Sequence, residues 1–295
     1  MADTTLMLEP GTLWEKLTKR TAYSLSRGAL QSIPTESSFL EQNSIRFLVR
    51  ILANLVHKDT AKANQNRQTP ASGKEFNPFL PYEEDLFVAD ISSTHLCLLN
   101  KFNVVDHHLL IVTHAFEDQE SPLNLQDFEA LSACMSEFDS LGFYNAGKTA
   151  GASQRHKHLQ LVPLPFLAGS PRIPIEPVLA TVYFQGSLGT TDKLPFRHAV
   201  FRLENCWKEP IQEAAEMMLQ GYHAMQQVVD LHNGAYNLLI TREWMLLVPR
   251  SQECFESISV NALGFAGAIL VRNEQQLRIL KDQGPLTVLK NVAVS

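Results

Sequence analysis

The chain has 295 residues, of which 45% are hydrophobic and 19% charged, and its formal net charge is −6 at pH 7. This length suffices for one large domain or two half-size ones, and the composition is that of an ordinary globular protein. The negative charge argues against a protein that holds nucleic acid by neutralising its backbone, but a polyphosphate ligand needs only a local cluster of donors.

The sequence of the N-terminal part predicts a helix, then a buried segment that fits a helix or a strand, and then a surface loop. Apolar residues at helical spacing predict a helix over residues 11–28, with Gly28 as its stop. Residues 44–57 are apolar enough to be buried, and their periodicity fits a helix or a strand equally well. The polar stretch 59–74 predicts a mobile surface loop, of the kind that closes over ligands.

A β-meander, a helix and a further strand follow. Short apolar runs predict strands at 86–88, 96–99, 104–105 and 109–112. A helix is predicted to begin at Ser121–Asn124, because apolar residues then recur every three or four positions, and to end at Gly142. The small-residue stretch 145–154 predicts a loop, and a strand that carries two histidines comes after it.

The second half repeats this order. A strand is predicted at 198–203, a helix that begins with Pro210, and a hairpin formed by 236–240 and 245–248. The repetition predicts an α+β fold in which an antiparallel sheet with flanking helices is built from two degenerate copies of one module. We expect a catalytic half over 1–165, including the N-terminal helix and the loop 59–74, and a degenerate half over 166–295 that completes the ligand site.

The most informative segment carries His156, His158 and Gln160 at alternate positions. In a strand, alternate side chains share one face of the sheet. A neutral imidazole there can attack phosphorus while N–H donors hold the non-bridging oxygens. The preceding loop can expose successive backbone N–H groups, which form a cradle for anions. The segment therefore predicts nucleotidyl transfer through a covalent histidine intermediate.

Three other kinds of site fit the sequence less well. A metal site would need a third or fourth ligand; Cys97, His107, His108 and His114 are available, but their spacing does not make them converge. The residues from Gly142 to Thr149 match the P-loop pattern G-x-x-x-x-G-K-T, yet a helix before Gly142 and a strand after the loop would be the wrong context. A serine hydrolase is disfavoured because no G-x-S-x-G occurs.

The remaining features favour a cytoplasmic protein without nucleic-acid or membrane partners. Four widely spaced cysteines indicate buried thiols in a reducing compartment. The N-terminus has no basic region followed by an apolar one, and no apolar run reaches the length that spans a membrane.

The chain resembles the ATP adenylyltransferases, also called diadenosine tetraphosphate (Ap4A) phosphorylases, of the histidine-triad superfamily. The H-x-H-x-Q form resembles the transferase branch, which includes galactose-1-phosphate uridylyltransferase. The cysteine pair near the N-terminus of that sugar enzyme is missing here, which favours the adenylyl branch. The segments that carry the resemblance are 77–82, 98–105, 151–154, 156–160, 236–239, 244–250 and 261–267.

The resemblance implies residue roles. His158 would be the nucleophile, His156 would support and orient the site, and Gln160 would bind α-phosphate oxygens. The implied substrate-binding residues are Lys58, Asn145, Gly151, Ala152, Ser153, Gln154, Asn261, Ala262, Leu263 and Arg272, and no protein-held metal is implied.

The implied reaction converts Ap4A and phosphate reversibly to ATP and ADP by a ping-pong scheme, with Mg²⁺ held by the polyphosphate itself. Three alternatives stay open. The first is a hydrolase of dinucleotides or nucleoside phosphoramidates, and the second is a sugar-1-phosphate nucleotidyltransferase. The third is a nucleotide-binding module without catalysis.

Overall fold

The structure of the protein is a computed structural model that describes residues 5–52, 76–204 and 206–295. Lys58 and the loop predicted at 59–74 lie outside the described residues. In the described ranges the helices are α1 (Leu13–Arg27), α2 (Leu125–Met135), α3 (Glu176–Leu179), α4 (Ile211–Val228), α5 (Ala262–Phe265), α6 (Glu274–Gln283) and α7 (Pro285–Val292). Single 3₁₀ turns occur at Glu84–Leu86, Lys148–Ala150 and Cys206–Lys208.

Fifteen strands accompany these helices in the described ranges. They are β1 (Thr35–Gln42), β2 (Ile45–Leu52), β3 (Phe87–Asp90), β4 (His95–Leu99), β5 (Leu109–Thr113), β6 (Ser140–Asn145), β7 (His158–Pro163), β8 (Tyr183–Gln185), β9 (Leu188–Thr190), β10 (Ala199–Arg202), β11 (Tyr236–Ile240), β12 (Trp244–Pro249), β13 (Cys254–Phe255), β14 (Ile258–Ser259) and β15 (Ala268–Val271). No helix in these ranges combines the length and the apolarity needed to cross a membrane.

Ten strands form one antiparallel sheet in the order β3-β4-β5-β7-β6-β11-β12-β10-β9-β8. In each half a three-stranded meander is followed by a helix and a hairpin, and the second hairpin strand returns to pair with the end of the meander. The two halves meet at the β6–β11 pair, where Phe143 lies opposite Leu239. The predicted α+β fold of two copies of one module is confirmed.

The strand registers give the equivalence between the copies residue by residue. Gln160 in β7 pairs with Leu110 of β5, and Leu246 in β12 pairs with Val200 of β10. In the same alignment Trp244 occupies the position of His158. The second half thus has the same frame without the chemical groups.

The sheet separates two apolar layers. On one face α1, α2 and α4 pack against a cluster that includes Leu159 and Leu161 of β7. On the other face β1, β2 and β15 form a three-stranded sheet, which with α5 to α7 covers a cluster that includes Val162. Because side chains alternate along β7, His158 and Gln160 lie on the face of Val162.

Two predicted elements differ from the structure. The helix predicted to run to Gly142 ends at Met135, and Gly142 lies within β6. A Cβ on Gly142 would come within 3.0 Å of the Leu131 side chain, so this glycine permits the close approach of α2 to the sheet and is no helix stop. The strand predicted at 104–105 is absent, because these residues lie in the connection between β4 and β5.

Two open questions are resolved by the observed elements. The open segment 44–57 contains strand β2 in its described part. The helix predicted before the P-loop pattern was wrong at its end, because Gly142 lies within strand β6. A P-loop is nevertheless ruled out, because Lys148–Ala150 is a single 3₁₀ turn and β7 follows it where a P-loop requires a helix.

Candidate active site

Strand β7 and the residues just before it bring the two imidazoles and the carboxamide together. His156, His158 and Gln160 are 1%, 4% and 8% exposed. The Phe79 ring lies 5.6 Å from the His156 ring and 5.4 Å from the His158 ring between centroids, so both imidazoles lie on the same side of the sheet. The alternation predicted from the sequence therefore forms one compact group.

His158 has the electronic form of a nucleophile. Its Nδ1–H donates to the main-chain oxygen of His156 at 2.8 Å, which places the lone pair on Nε2. Among the described residues Nε2 has no hydrogen-bond partner. Burial lowers the pKa of the His158 imidazole to about 4, so the ring is neutral at physiological pH.

His156 has both nitrogens occupied. Its Nε2–H donates to the Thr113 main-chain oxygen at 2.8 Å, and its Nδ1 accepts from the Asn77 amide at 3.0 Å. The Asn77 amide is itself oriented, because its oxygen accepts from the Phe79 N–H at 3.0 Å. His156 thus orients its surroundings and cannot attack. Sequence reasoning missed Asn77, although it begins the proline-rich segment 77–82 that carries part of the resemblance.

Gln160 is oriented by His108, a residue that sequence reasoning considered only as a metal ligand. The His108 Nδ1 accepts from the Asn100 amide at 3.1 Å, and its Nε2–H donates to the Gln160 oxygen at 3.0 Å. Burial lowers the pKa of His108 to about 4, which keeps it neutral. With its oxygen engaged, Gln160 offers its NH₂ group to a ligand, which is the polarity that a phosphate oxygen needs.

Lys157, between the two histidines in sequence, points to the opposite face and anchors the strand. Its fully buried ammonium lies 2.6 Å from an Asp127 carboxylate oxygen and 3.1 Å from Glu117, and it donates to the Pro122 main-chain oxygen. Asp127 also accepts from His95 at 3.1 Å and closes the capping box of α2. The N-terminus of α2 and the start of β7 are therefore joined by a buried ionic cluster.

Gln119 holds β6 and β7 together where their main-chain pairing stops. Its oxygen accepts from the His158 N–H at 2.8 Å, and its amide donates to the Asn145 main-chain oxygen at 2.9 Å. These bonds fix the backbone of His158 independently of any ligand.

The loop after β6 packs directly against the C-terminal segment. Gly151 has φ +91°, and a Cβ on it would lie 2.8 Å from the Val260 main-chain oxygen and 3.0 Å from Asn261. The Asn145 side-chain oxygen accepts from the Ala262 N–H at 2.9 Å and from the Asn237 amide at 2.8 Å. The structure thus brings two of the predicted residues, Asn145 and Gly151, against Ala262 and Asn261.

Arg250 also connects the loop after β6 with the C-terminal segment. Its guanidinium donates to the oxygens of Ala150, Asn237 and Val260 at 3.1, 2.6 and 2.9 Å. Burial lowers its pKa to about 10, so it stays charged. The second half therefore supplies the support of the small-residue loop.

Two predicted residues lie away from this group. Arg272 is exposed after β15, and in the described ranges no hydrogen bond or ion pair links its side chain to another predicted site residue. Val271 pairs with Ile51 of β2, so Arg272 lies at the end of the three-stranded sheet. Lys58 falls outside the described residues. Within the ranges that the structure describes, no three His, Cys, Asp or Glu side chains converge as a metal site.

Two protein-family models match successive parts of the chain. The model of the Ap4A phosphorylase N-terminal domain matches residues 3–181, and that of the ATP adenylyltransferase C-terminal domain matches residues 192–295. The chain belongs to the Ap4A phosphorylase family. The two models together cover most of the chain.

Relatives of this family cover nearly the whole chain. Diadenosine 5′,5‴-P1,P4-tetraphosphate phosphorylase 2 of Saccharomyces cerevisiae is 27% identical over 92% of this chain and 90% of its own length. Protein APA1 of the same yeast is 26% identical over 85% of this chain and 84% of its own length. The crystal structure of yeast Ap4A phosphorylase Apa2 in complex with Ap4A matches with a TM-score of 0.80 and 25% identity, covering 97% of this chain and 98% of that one.

Proposed function

We propose that the protein catalyses the reversible phosphorolysis of Ap4A to ATP and ADP through a covalent adenylyl-His158 intermediate. One observation carries the proposal: of the three clustered imidazoles, only His158 keeps a nitrogen lone pair without a partner among the described residues. His108 and His156 use both of their nitrogens, so the site has one nucleophile and two orienting histidines. Ap4A as the substrate is supported by family membership and by the Ap4A complex of the yeast relative.

In the first step Nε2 of His158 attacks one α-phosphorus of Ap4A. The Nε2–P bond forms as the bond from that phosphorus to the bridging oxygen breaks, and ATP leaves with the oxygen. The adenylyl-imidazole carries a positive charge shared with Nδ1–H. The main-chain oxygen of His156, 2.8 Å from Nδ1, stabilises that charge.

Negative charge on the equatorial oxygens of phosphorus is met by fixed donors. Gln160 presents its NH₂ group because His108 holds its oxygen at 3.0 Å. In the loop that Arg250 supports, the Gly151 and Ala152 N–H groups donate to the main-chain oxygens of Lys148 and Gly147 at 2.9 and 3.1 Å, so Ser153 and Gln154 would supply the main-chain N–H groups for the phosphate. The Gln160 amide is oriented by His108 before substrate binds, so it would need no reorganisation during the reaction.

In the second step an oxygen of inorganic phosphate attacks the same phosphorus. The phosphorus–Nε2 bond breaks, ADP forms, and His158 returns to its neutral form with Nδ1–H in place. The reverse direction begins with ADP, which gives the adenylyl-enzyme and phosphate; ATP then takes the adenylyl group. We further propose that Mg²⁺ arrives on the polyphosphate and is held by its oxygens.

We propose the cytoplasm as the location. The Cys97 and Cys134 sulfurs lie 3.7 Å apart as free thiols, which suits a reducing compartment. Fractionation of cells that express the tagged protein tests this directly, and recovery with an oxidising compartment would contradict it.

The function is tested by supplying Ap4A with and without phosphate and identifying the products. We expect ATP and ADP with phosphate, and one equivalent of ATP per enzyme without it. AMP and ATP formed in the absence of phosphate would show a hydrolase. Turnover only with a sugar 1-phosphate would show a sugar nucleotidyltransferase, and binding without turnover would show a nucleotide-binding module.

Two substitutions test the residue roles. His158→Ala should abolish both product formation and the ATP burst, and Gln160→Ala should lower kcat by about 100- to 1000-fold, as for one lost oxyanion donor. His198→Ala is the matched control, because His198 is a buried histidine whose Nδ1–H also donates to the main-chain oxygen two residues earlier, at 2.8 Å. His198→Ala should keep its turnover per folded molecule, and full activity in His158→Ala would refute the mechanism.

A further inference from the structure

A large aromatic side chain lies exposed beside one of the two site histidines. Phe116 is 52% exposed. The Phe116 ring centroid lies 5.4 Å from that of His156, and His156 is two residues from the nucleophile. Burial of a phenylalanine ring in the core is favourable, so a half-exposed ring at this place forgoes part of that contribution.

The backbone on which Phe116 stands is fixed to the catalytic strand. The Lys157 N–H donates to the Glu117 main-chain oxygen at 2.8 Å, and the Gln119 N–H donates to the Arg155 main-chain oxygen at 2.7 Å. Asp118 forms an antiparallel bridge with His156. An aromatic ring held in this way is a preformed flat surface, and a planar ligand that stacks on it loses little conformational entropy of the protein.

The site is asymmetric about His158. In the direction of Gln160, His108 and Leu110 the side chains are each less than a tenth exposed, so that side is enclosed. In the direction of His156 the imidazole is itself 1% exposed, and the exposed side chain next to it is Phe116, at 52%. Ap4A carries two adenosines, one that stays on the enzyme as the adenylyl group and one that must leave in ATP. A departing group requires an open side, whereas the retained group is best held in the enclosed one.

We infer that Phe116 stacks on the purine base of the departing nucleotide and so recognises the second nucleoside of a dinucleoside polyphosphate. This inference rests on the proposed function and extends it from the reacting phosphorus to the far end of the substrate. A stacked aromatic ring binds any base through its face, so the contact selects for a nucleoside over a bare polyphosphate.

The proposed reaction contains its own control for this inference. ADP and phosphate exchange through the adenylyl-enzyme: attack of His158 on ADP releases phosphate, and labelled phosphate then re-forms labelled ADP. This exchange uses the adenylyl half of the site and phosphate only, with no second nucleoside. Ap4A phosphorolysis uses both halves. Comparison of the two rates in one variant therefore isolates the contact with the departing base.

We expect Phe116→Ala to lower kcat/KM for Ap4A on the order of 10- to 100-fold, as for one lost base stack, and to leave ADP–phosphate exchange within about twofold of the wild type. Phe116→Trp should restore Ap4A turnover. Tyr183→Ala is the control for removal of an exposed aromatic ring, since Tyr183 is 74% exposed on β8 at the far edge of the sheet. That variant should change neither rate.

Two results would overturn the inference. An equal loss in both reactions would place Phe116 against the retained adenylyl group or make it a support of His156. Unchanged kcat/KM for Ap4A would show that the ring contacts no part of the substrate. A wild-type enzyme that does not exchange phosphate into ADP would instead refute the proposed function, so the two failures are distinguishable.

Discussion

Replacing His108 by phenylalanine tests whether this histidine orients the Gln160 amide that we propose to bind phosphate. The His108 Nε2–H holds the Gln160 oxygen at 3.0 Å, and the Asn100 amide at 3.1 Å keeps the proton on that nitrogen. Phenylalanine keeps a ring beside Phe143, which lies 5.7 Å from the His108 ring between centroids. The substitution therefore removes the donor and retains a ring at the site. The Gln160 side chain can then rotate and point its amide oxygen at the substrate. That oxygen would repel the phosphate oxygens.

The expected loss follows from the energy of one hydrogen bond. A neutral hydrogen bond contributes about 0.5–1.5 kcal/mol net, which corresponds to about a 2- to 12-fold lower kcat/KM. The upper limit is about 100- to 1000-fold, because the substitution cannot cost more than the whole donor. The loss should appear mainly in kcat if Gln160 stabilises the transition state more than bound Ap4A.

A double-mutant cycle decides whether His108 acts through Gln160. Phosphorolysis is measured in His108→Phe, in Gln160→Ala and in the double variant. With the amide gone there is nothing for His108 to orient, so the double variant should equal Gln160→Ala. Additive losses would refute the positioning role. His198→Phe, at the equivalent position of the second half, is the control for loss of a buried imidazole and should keep its activity.

Four further predictions test the buried groups and the loop glycine. The pKa values of His108 and His158 are about 4 in the folded protein and near 6.5 in the unfolded chain, so the unfolded chain binds more protons below pH 6.5. The free energy of unfolding should therefore have its full value above pH 6.5 and decrease toward pH 4. Urea unfolding at pH 5 should show a loss of about 2 kcal/mol per group. The ATP burst without phosphate should keep its rate from pH 8 to about 5, whereas an acid limb at 6.5 would contradict the lowered pKa. Gly151→Ala should unfold in less urea and turn over more slowly than the control Gly169→Ala. Gly169 also has a positive φ, +78°, but a Cβ on it would meet nothing within 4 Å. Equal effects of the two substitutions would show that contact with Val260 does not matter. Lys157→Met should cost about 3–5 kcal/mol in urea unfolding, because it leaves the Asp127 carboxylate buried without its cation, and a loss no larger than that of the exposed control Lys193→Met would contradict this.

Local patterns predicted the histidine strand and its preceding loop because both depend on neighbouring residues. Alternation alone placed His158 and Gln160 on one face, and small residues marked the turn. Strand β6 was not predicted because a glycine such as Gly142 can either end a helix or let a helix pack closely against a strand. Only the packing of α2 against the sheet distinguishes the two cases. The His108–Gln160 bond spans 52 residues and arises from the register of β5 against β7, which no local pattern encodes.

The second half explains why one site, and not two, results from the repeated module. At the positions of His158 and Gln160 it carries Trp244 and Leu246, which belong to the apolar cluster beneath the three-stranded sheet. Core packing therefore fills the space that a ligand would need there. Its polar contribution is instead Arg250, which reaches the loop of the first half through the Ala150 oxygen at 3.1 Å. This bond, the Arg250 bond to the Val260 oxygen and the Ala262 N–H bond to the Asn145 side chain all hold the loop against 260–263. In the proposed mechanism the second half therefore acts through the position of the loop, and we expect its substitutions to weaken substrate binding more than they change the reactivity of His158.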